Sequence, residues 1–168
     1  MCSSDLVIER LSEEITSNQQ GAHIIVDLYN NGCRRLGLGR TEDAMARLYR
    51  ALEMLAQWVL MRDYQIDTND VDTRRIPPRD RVTYEAQRSI EDGMVKIGMR
   101  KAYELLMILG ARIGQQFKAD PVMRHFLEQR AESMLAHGLR PISREESQQF
   151  MEHSRELFVA EIEDFDEI

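Results

Sequence analysis

The stretch "QRAESMLAHGLRP", residues 129–141, sets Arg130 seven positions ahead of His137, with a glycine directly after the histidine. An arginine brings a permanently charged fork matched to phosphate or carboxylate oxygens, and a histidine brings a proton carrier near working pH. On an α-helix, seven residues turn through about 700°, within about 20° of two full turns, and climb roughly 10.5 Å. Arg130 and His137 therefore share one helix face, with Met134 between them. The spacing alone proves little. With 19 arginines and 4 histidines in 168 residues, random placement at gaps of this kind gives about 1.4 pairs. The pair is worth only what its setting adds.

That setting is helical nearly throughout. Leu6, Ile8, Leu11 and Ile15 begin an amphipathic segment that fades at the polar "TSNQQG". A second is expected over about 22–36, with Ile25, Leu28 and Tyr29 as its apolar stripe and "GLG" (37–39) as its stop. The third is the clearest. Thr41 is its expected N-cap, Glu42 and Asp43 face the helix dipole, and Met45, Leu48, Leu52, Leu55 and Val59 repeat at three- and four-residue steps. Trp58, beside that stripe, reads as core or interface mass.

Residues 66–81 turn polar and carry "PP", the signature of a loop. A short helix is expected around 82–92 and a long one over about 97–118, striped by Leu105, Leu106, Leu109, Ile113 and Phe117. Asp120 caps the next helix, with Pro121 in its first turn where a missing N–H costs nothing. This helix is expected to reach His137 and stop at Gly138. Ser143 and Glu146 form a capping box for a last helix running past Ile162. No segment alternates as a strand does. The pattern predicts an all-α helical bundle preceded by one linker helix.

Composition sets outer bounds. A chain of 168 residues with 43% hydrophobic and 30% charged residues is an ordinary globular domain. No apolar run approaches the ~18–20 residues of a membrane span, and no secretory signal opens the chain, so no membrane partner and a cytoplasmic location are expected. Cys2 and Cys33 make neither a disulfide framework nor a zinc spacing. The net charge of −7 argues mildly against sequence-independent nucleic-acid binding. Charge is segregated, however. Glu161, Glu163, Asp164, Asp166 and Glu167 crowd the end, while arginines gather at 34–50, 74–81 and 140–144. Arg34, Arg35, Arg47 and Arg50 read as partners of helix carboxylates.

Several chemistries lack their residues. Gln20, Val122, Met134 and Phe150 stand three before the four histidines, so no di-iron Glu-x-x-His occurs. There is no His-Glu-x-x-His and no Gly-x-Ser-x-Gly. "GLGR" (37–40) is too short for a dinucleotide loop. "DTNDVD" (67–72) puts Val71 and Asp72 where a calcium loop needs an oxygen ligand and a glycine. No cofactor and no metal site are expected.

Three stretches together resemble one family. "DLYNNGCRRLGLGRTEDAMARLYRALEMLAQ" (27–57) resembles the helix pair that opens a HEPN domain, and more narrowly the HEPN portion of the CRISPR-associated CARF–HEPN ribonucleases of type III systems. "YQIDTNDV" (64–71) resembles the loop that follows, and "RAESMLAHGLRPI" (130–142) the family's Arg-Asn-x-Ser…Ala-His-Gly stretch. The resemblance covers about residues 22–160 and implies an all-helical HEPN bundle. Expected boundaries are a linker helix over 7–21, the HEPN-like domain over 22–162 and an acidic tail over 163–168. "MCSSDL" (1–6) reads as a translated sequencing-adapter tail, as if the chain were cut from a longer frame. The family's upstream CARF domain, which binds cyclic oligoadenylate, has no counterpart here.

By the same resemblance, Arg130 and His137 are the ribonuclease residues. RNA supplies its own nucleophile, the 2′-OH, so such a site needs proton transfer and charge stabilisation but no metal. His137 would move the proton and Arg130 would hold the phosphate charge. The implied activity is metal-independent endonucleolytic cleavage of single-stranded RNA in antiviral defence, at a site shared across a homodimer. Ala131 departs from the family's usual polar residue. Two other readings stay open: a non-catalytic HEPN dimerisation or RNA-holding module, and a HEPN partner of a minimal nucleotidyltransferase in a toxin–antitoxin pair.

Overall fold

The computed structural model describes the backbone of residues 21–136 and 142–167, and the side chains of 21–128 and 142–167. The expected segment starting at Leu6, the 1–6 tail, nearly all of the 7–21 linker and the Gly138 stop lie outside the described residues. Helix α1 covers 21–37, and α2 follows as Thr41–Tyr64, α3 as Arg81–Glu85, α4 as Met99–Ile108, α5 as Arg112–Ala119, α6 as Pro121–Ala136 and α7 as Arg144–Glu161. A single 3₁₀ turn spans Thr73–Arg75. Among the described residues there is no strand, only one isolated bridge between Arg88 and Val95. The chain is all-α, as the periodicity predicts. No described helix is long and apolar enough to cross a membrane.

Helix α2 is the central element. Met45, Leu48, Leu52, Leu55 and Val59 are all buried, as their spacing requires. Its start differs from expectation by one residue: Arg40 is the N-cap, Thr41 is already helical, and no side chain caps the end. At the other end Arg62 stacks on Trp58, 4.4 Å from the ring centroid, and reaches Glu161 Oε2 of α7 at 2.8 Å. Helix α1 lies alongside, with Ile25 and Tyr29 buried and Gly32 set against Leu48.

The expected helix over 97–118 is two helices. It breaks at Leu109–Ala111, where Gly110 takes φ +85° and ends α4 in the left-handed region open to glycine. The apolar stripe keeps its phase across the break, so periodicity alone cannot show it. The two halves fold back on each other. A Cβ at Gly114 would meet Met107 N at 2.3 Å, so the backbones touch where a side chain would stand. Tyr103 and Phe117 stack beside this crossing at 3.7 Å, and the Tyr103 hydroxyl donates to the Leu52 carbonyl at 3.0 Å.

The segment between α2 and α4 is irregular, as expected for 66–81, but it is packed. Ile66, Val71, Ile76, Tyr84, Val95 and Ile97 all join the core. Val71 N–H donates to Val95 O, and Ile97 N–H to Thr68 O, each at 2.9 Å. The helix expected at 82–92 is shorter, ending at Glu85. Ser89 and Asp92 side chains bind nearby backbone N–H groups and Gly93 takes φ +69°, a turn that competes with helix.

The final helix opens with the predicted capping box: Ser143 Oγ accepts from Glu146 N–H at 3.1 Å, and Glu146 Oε2 accepts from Ser143 N–H at 2.8 Å. It ends at Glu161 instead of running past Ile162. The chain then turns back, burying Phe165 against Tyr29 and Phe158 while Arg155 holds Asp166 at 2.5 Å. Part of the acidic end is thus bound to the bundle.

Candidate active site

Helix α6 carries Arg130, the half of the predicted site whose backbone is described. Asp120 starts it as expected: Oδ1 accepts from Val122 N–H at 2.8 Å and Met123 N–H at 3.2 Å. The backbone is helical through Ala136, so Arg130 and Ala131 sit on a formed helix. The side chains of Arg130, Ala131 and Met134, and the whole of His137, lie outside the described residues.

The register of α6 is fixed by its first half. Met123 is fully buried, and Phe126 is buried against Phe150 of α7 with ring centroids 4.4 Å apart. Arg130 stands seven residues after Met123, within about 20° of it around the helix. It therefore takes the register position of the face that packs on α7, while Arg124, His125 and Glu128 are exposed. Pairings of Asp120 with His153 and of Phe126 with Phe150 show that α6 and α7 run antiparallel.

The Asp120–His153 contact is one that sequence reasoning missed. His153 Nδ1 lies 2.7 Å from Asp120 Oδ2, and because the ionised carboxylate only accepts, the ring nitrogen donates. The two residues are 33 apart in sequence. Only the phase of His153 on α7, three residues after buried Phe150 and four before buried Leu157, marks it as near the packed face.

The arginines divide into two groups. Arg47 pairs with Asp43 and Arg50 with Glu53 at helical spacing, Arg34 pairs with Asp27 two turns away, and Arg35 of α1 reaches Asp43 of α2. Among the described residues, Arg112, Lys118 and Arg124 on α5 and α6 make no ion pair or side-chain hydrogen bond, and neither do Arg40, Arg100 and Arg144 elsewhere on the bundle. Among the described residues no three His, Cys, Asp or Glu side chains are placed to hold a metal ion.

The all-helical arrangement of the described residues is consistent with a HEPN helical bundle. The model of the Csm6 HEPN domain family matches residues 14–160, most of the chain, and the protein belongs to that family of CRISPR-associated HEPN ribonucleases. No curated protein and no solved structure gives a significant match.

Proposed function

We propose that this chain is a metal-independent endoribonuclease of a CRISPR-associated defence system, cleaving single-stranded RNA with Arg130 and His137. The observation that carries the reading is the family match, which runs through the whole 130–137 stretch. The Asp120 cap that starts α6, the helix that carries Arg130, is consistent with it.

In this mechanism the RNA 2′-oxygen attacks the adjacent phosphorus as the bond to the 5′-oxygen breaks. A histidine takes the 2′ proton and a histidine returns one to the leaving 5′-oxygen. Arg130 stabilises the charge that builds on the phosphoryl oxygens. The products are a 2′,3′-cyclic phosphate and a 5′-hydroxyl. Arg130 and His137 are about two turns apart, too far for one helix to wrap a single phosphate. Two copies facing across a two-fold axis would bring two arginines and two histidines into one cleft.

The test is cleavage of single-stranded RNA in EDTA across a dilution series. Activity per protein should rise with concentration and level off as the dimer fills, with the same midpoint as dimer formation in sedimentation. His137→Ala should abolish cleavage with an unchanged circular-dichroism spectrum. Cleavage that needs added divalent metal, or that survives in His137→Ala, refutes the reading. A folded dimer that binds RNA without cutting it would favour the non-catalytic alternative, to which Ala131 lends weight.

A further inference from the structure

We infer that Asp120 and His153 are positioning residues for the ribonuclease site, a tie that sets where α6 holds Arg130; this rests on the ribonuclease reading above. The Asp120 carboxylate does two jobs at once. Oδ1 caps α6 through Val122 and Met123, and Oδ2 is held by His153 of α7 at 2.7 Å. The neighbouring contacts on this seam, Met123 in the core and Phe126 on Phe150, are apolar and set the rotation of α6. Apolar packing depends on shape alone, whereas a hydrogen bond adds a directional restraint that weakens steeply with distance and angle. The Asp–His tie therefore adds a restraint on the axial position and tilt of α6 against α7.

Leverage turns that restraint into a catalytic matter. Arg130 lies ten residues beyond Asp120, about 15 Å along the helix. A tilt of roughly 4° about the anchored end moves the helix by about 1 Å at Arg130, and misplacements of that size can cost about 10²-fold in rate. The pair itself touches no substrate in this scheme. It acts through Arg130.

Steady-state cleavage by the dimeric protein tests this with His153→Ala, Asp120→Ser and His153→Arg. Serine keeps the cap but is too short to hold His153 as well, and arginine keeps a donor for Oδ2. The expected result is a fall in kcat of roughly 10- to 100-fold in His153→Ala and Asp120→Ser, with KM moved less than about threefold and the helical spectrum retained. The double variant should lose no more than either single. His153→Arg should recover most of kcat, which a general loss of stability would not explain. Should His153→Ala unfold at the assay temperature, Asp120→Ser decides. Wild-type kcat in folded Asp120→Ser, or additive losses in the double variant, overturns the inference while Arg130→Ala remains inactive. Wild-type cleavage by Arg130→Ala and His137→Ala would instead remove the ribonuclease reading, and this inference with it.

Discussion

In Gly114→Ala, helix propensity and packing pull in opposite directions. Alanine in place of a helical glycine ordinarily stabilises by about 0.8–1 kcal/mol. Here the new Cβ would stand 2.3 Å from Met107 N, 2.7 Å from Leu106 C and 2.8 Å from Met107 Cα, all backbone atoms that no rotamer change can move. Restoring ordinary contact requires α4 and α5 to separate by about 1 Å, and a gap of that size forfeits a quarter to a half of the contact energy across it. Tyr103, Leu106, Ile113 and Phe117 are buried along this crossing. A quarter of about 2 kcal/mol at each of four side chains is about 2 kcal/mol, before any strain. Strain and propensity roughly offset, leaving a net loss of about 1–3 kcal/mol, the usual range for overpacking. Urea denaturation followed by circular dichroism should show it, with a melting temperature lower by roughly 2–4 °C per kcal/mol. Gly37→Ala is the control, since nothing lies within 4 Å of its Cβ position and alanine should stabilise there by about 0.5–1 kcal/mol. A stabilised Gly114→Ala would mean that α4 and α5 do not cross at this glycine.

Ser143→Ala should cost about 1 kcal/mol of stability by removing the capping box, and Ser143→Gly only a few tenths, measured by the same denaturation. Burial pushes the phenols of Tyr29, Tyr84 and Tyr103 well above their ordinary value of 10.0. Above pH 10 the unfolded chain sheds these protons while the folded one keeps them. Stability should hold below about pH 10 and then fall by up to about 1.4 kcal/mol per pH unit for each phenol, and a flat profile to pH 11.5 would contradict their burial. Ala131→Asn should raise RNA cleavage at a stability cost of about 0.5–0.7 kcal/mol; an unchanged rate would make the alanine neutral.

Elements with a local cause were legible in the sequence. The α2 stripe, the Asp120 cap with Pro121 and the Ser143–Glu146 box each depend on residues within a turn or two of one another, and each is present. The break at Gly110 was not legible, because Leu105, Leu109, Ile113 and Phe117 stay in phase across it and a glycine's φ is set by what the next helix packs against. The core role of the 66–97 segment was hidden by its polar composition, since its apolar residues are spread among the aspartates and arginines. For the site, Arg130 could be placed on a helix face from spacing alone. His153 could not be brought to Asp120 without knowing that α6 and α7 are antiparallel neighbours.

The back-folded α4–α5 pair also bears on the order in which the chain assembles. Tyr103 and Phe117 close a loop of about 14 residues, whereas Arg62 and Glu161 meet across a sequence separation of 99. Loop-closure entropy makes the second contact costlier by about 1.7 kcal/mol before any reward is gained. The short-range hairpin is thus the natural folding nucleus, and the α2–α7 seam closes after the barrier. Loosening Phe117 should slow refolding, while removing Glu161 should chiefly quicken unfolding. Lifetime of the folded protein is then governed by the long-range α2–α7 seam, and not by the crossing that starts it.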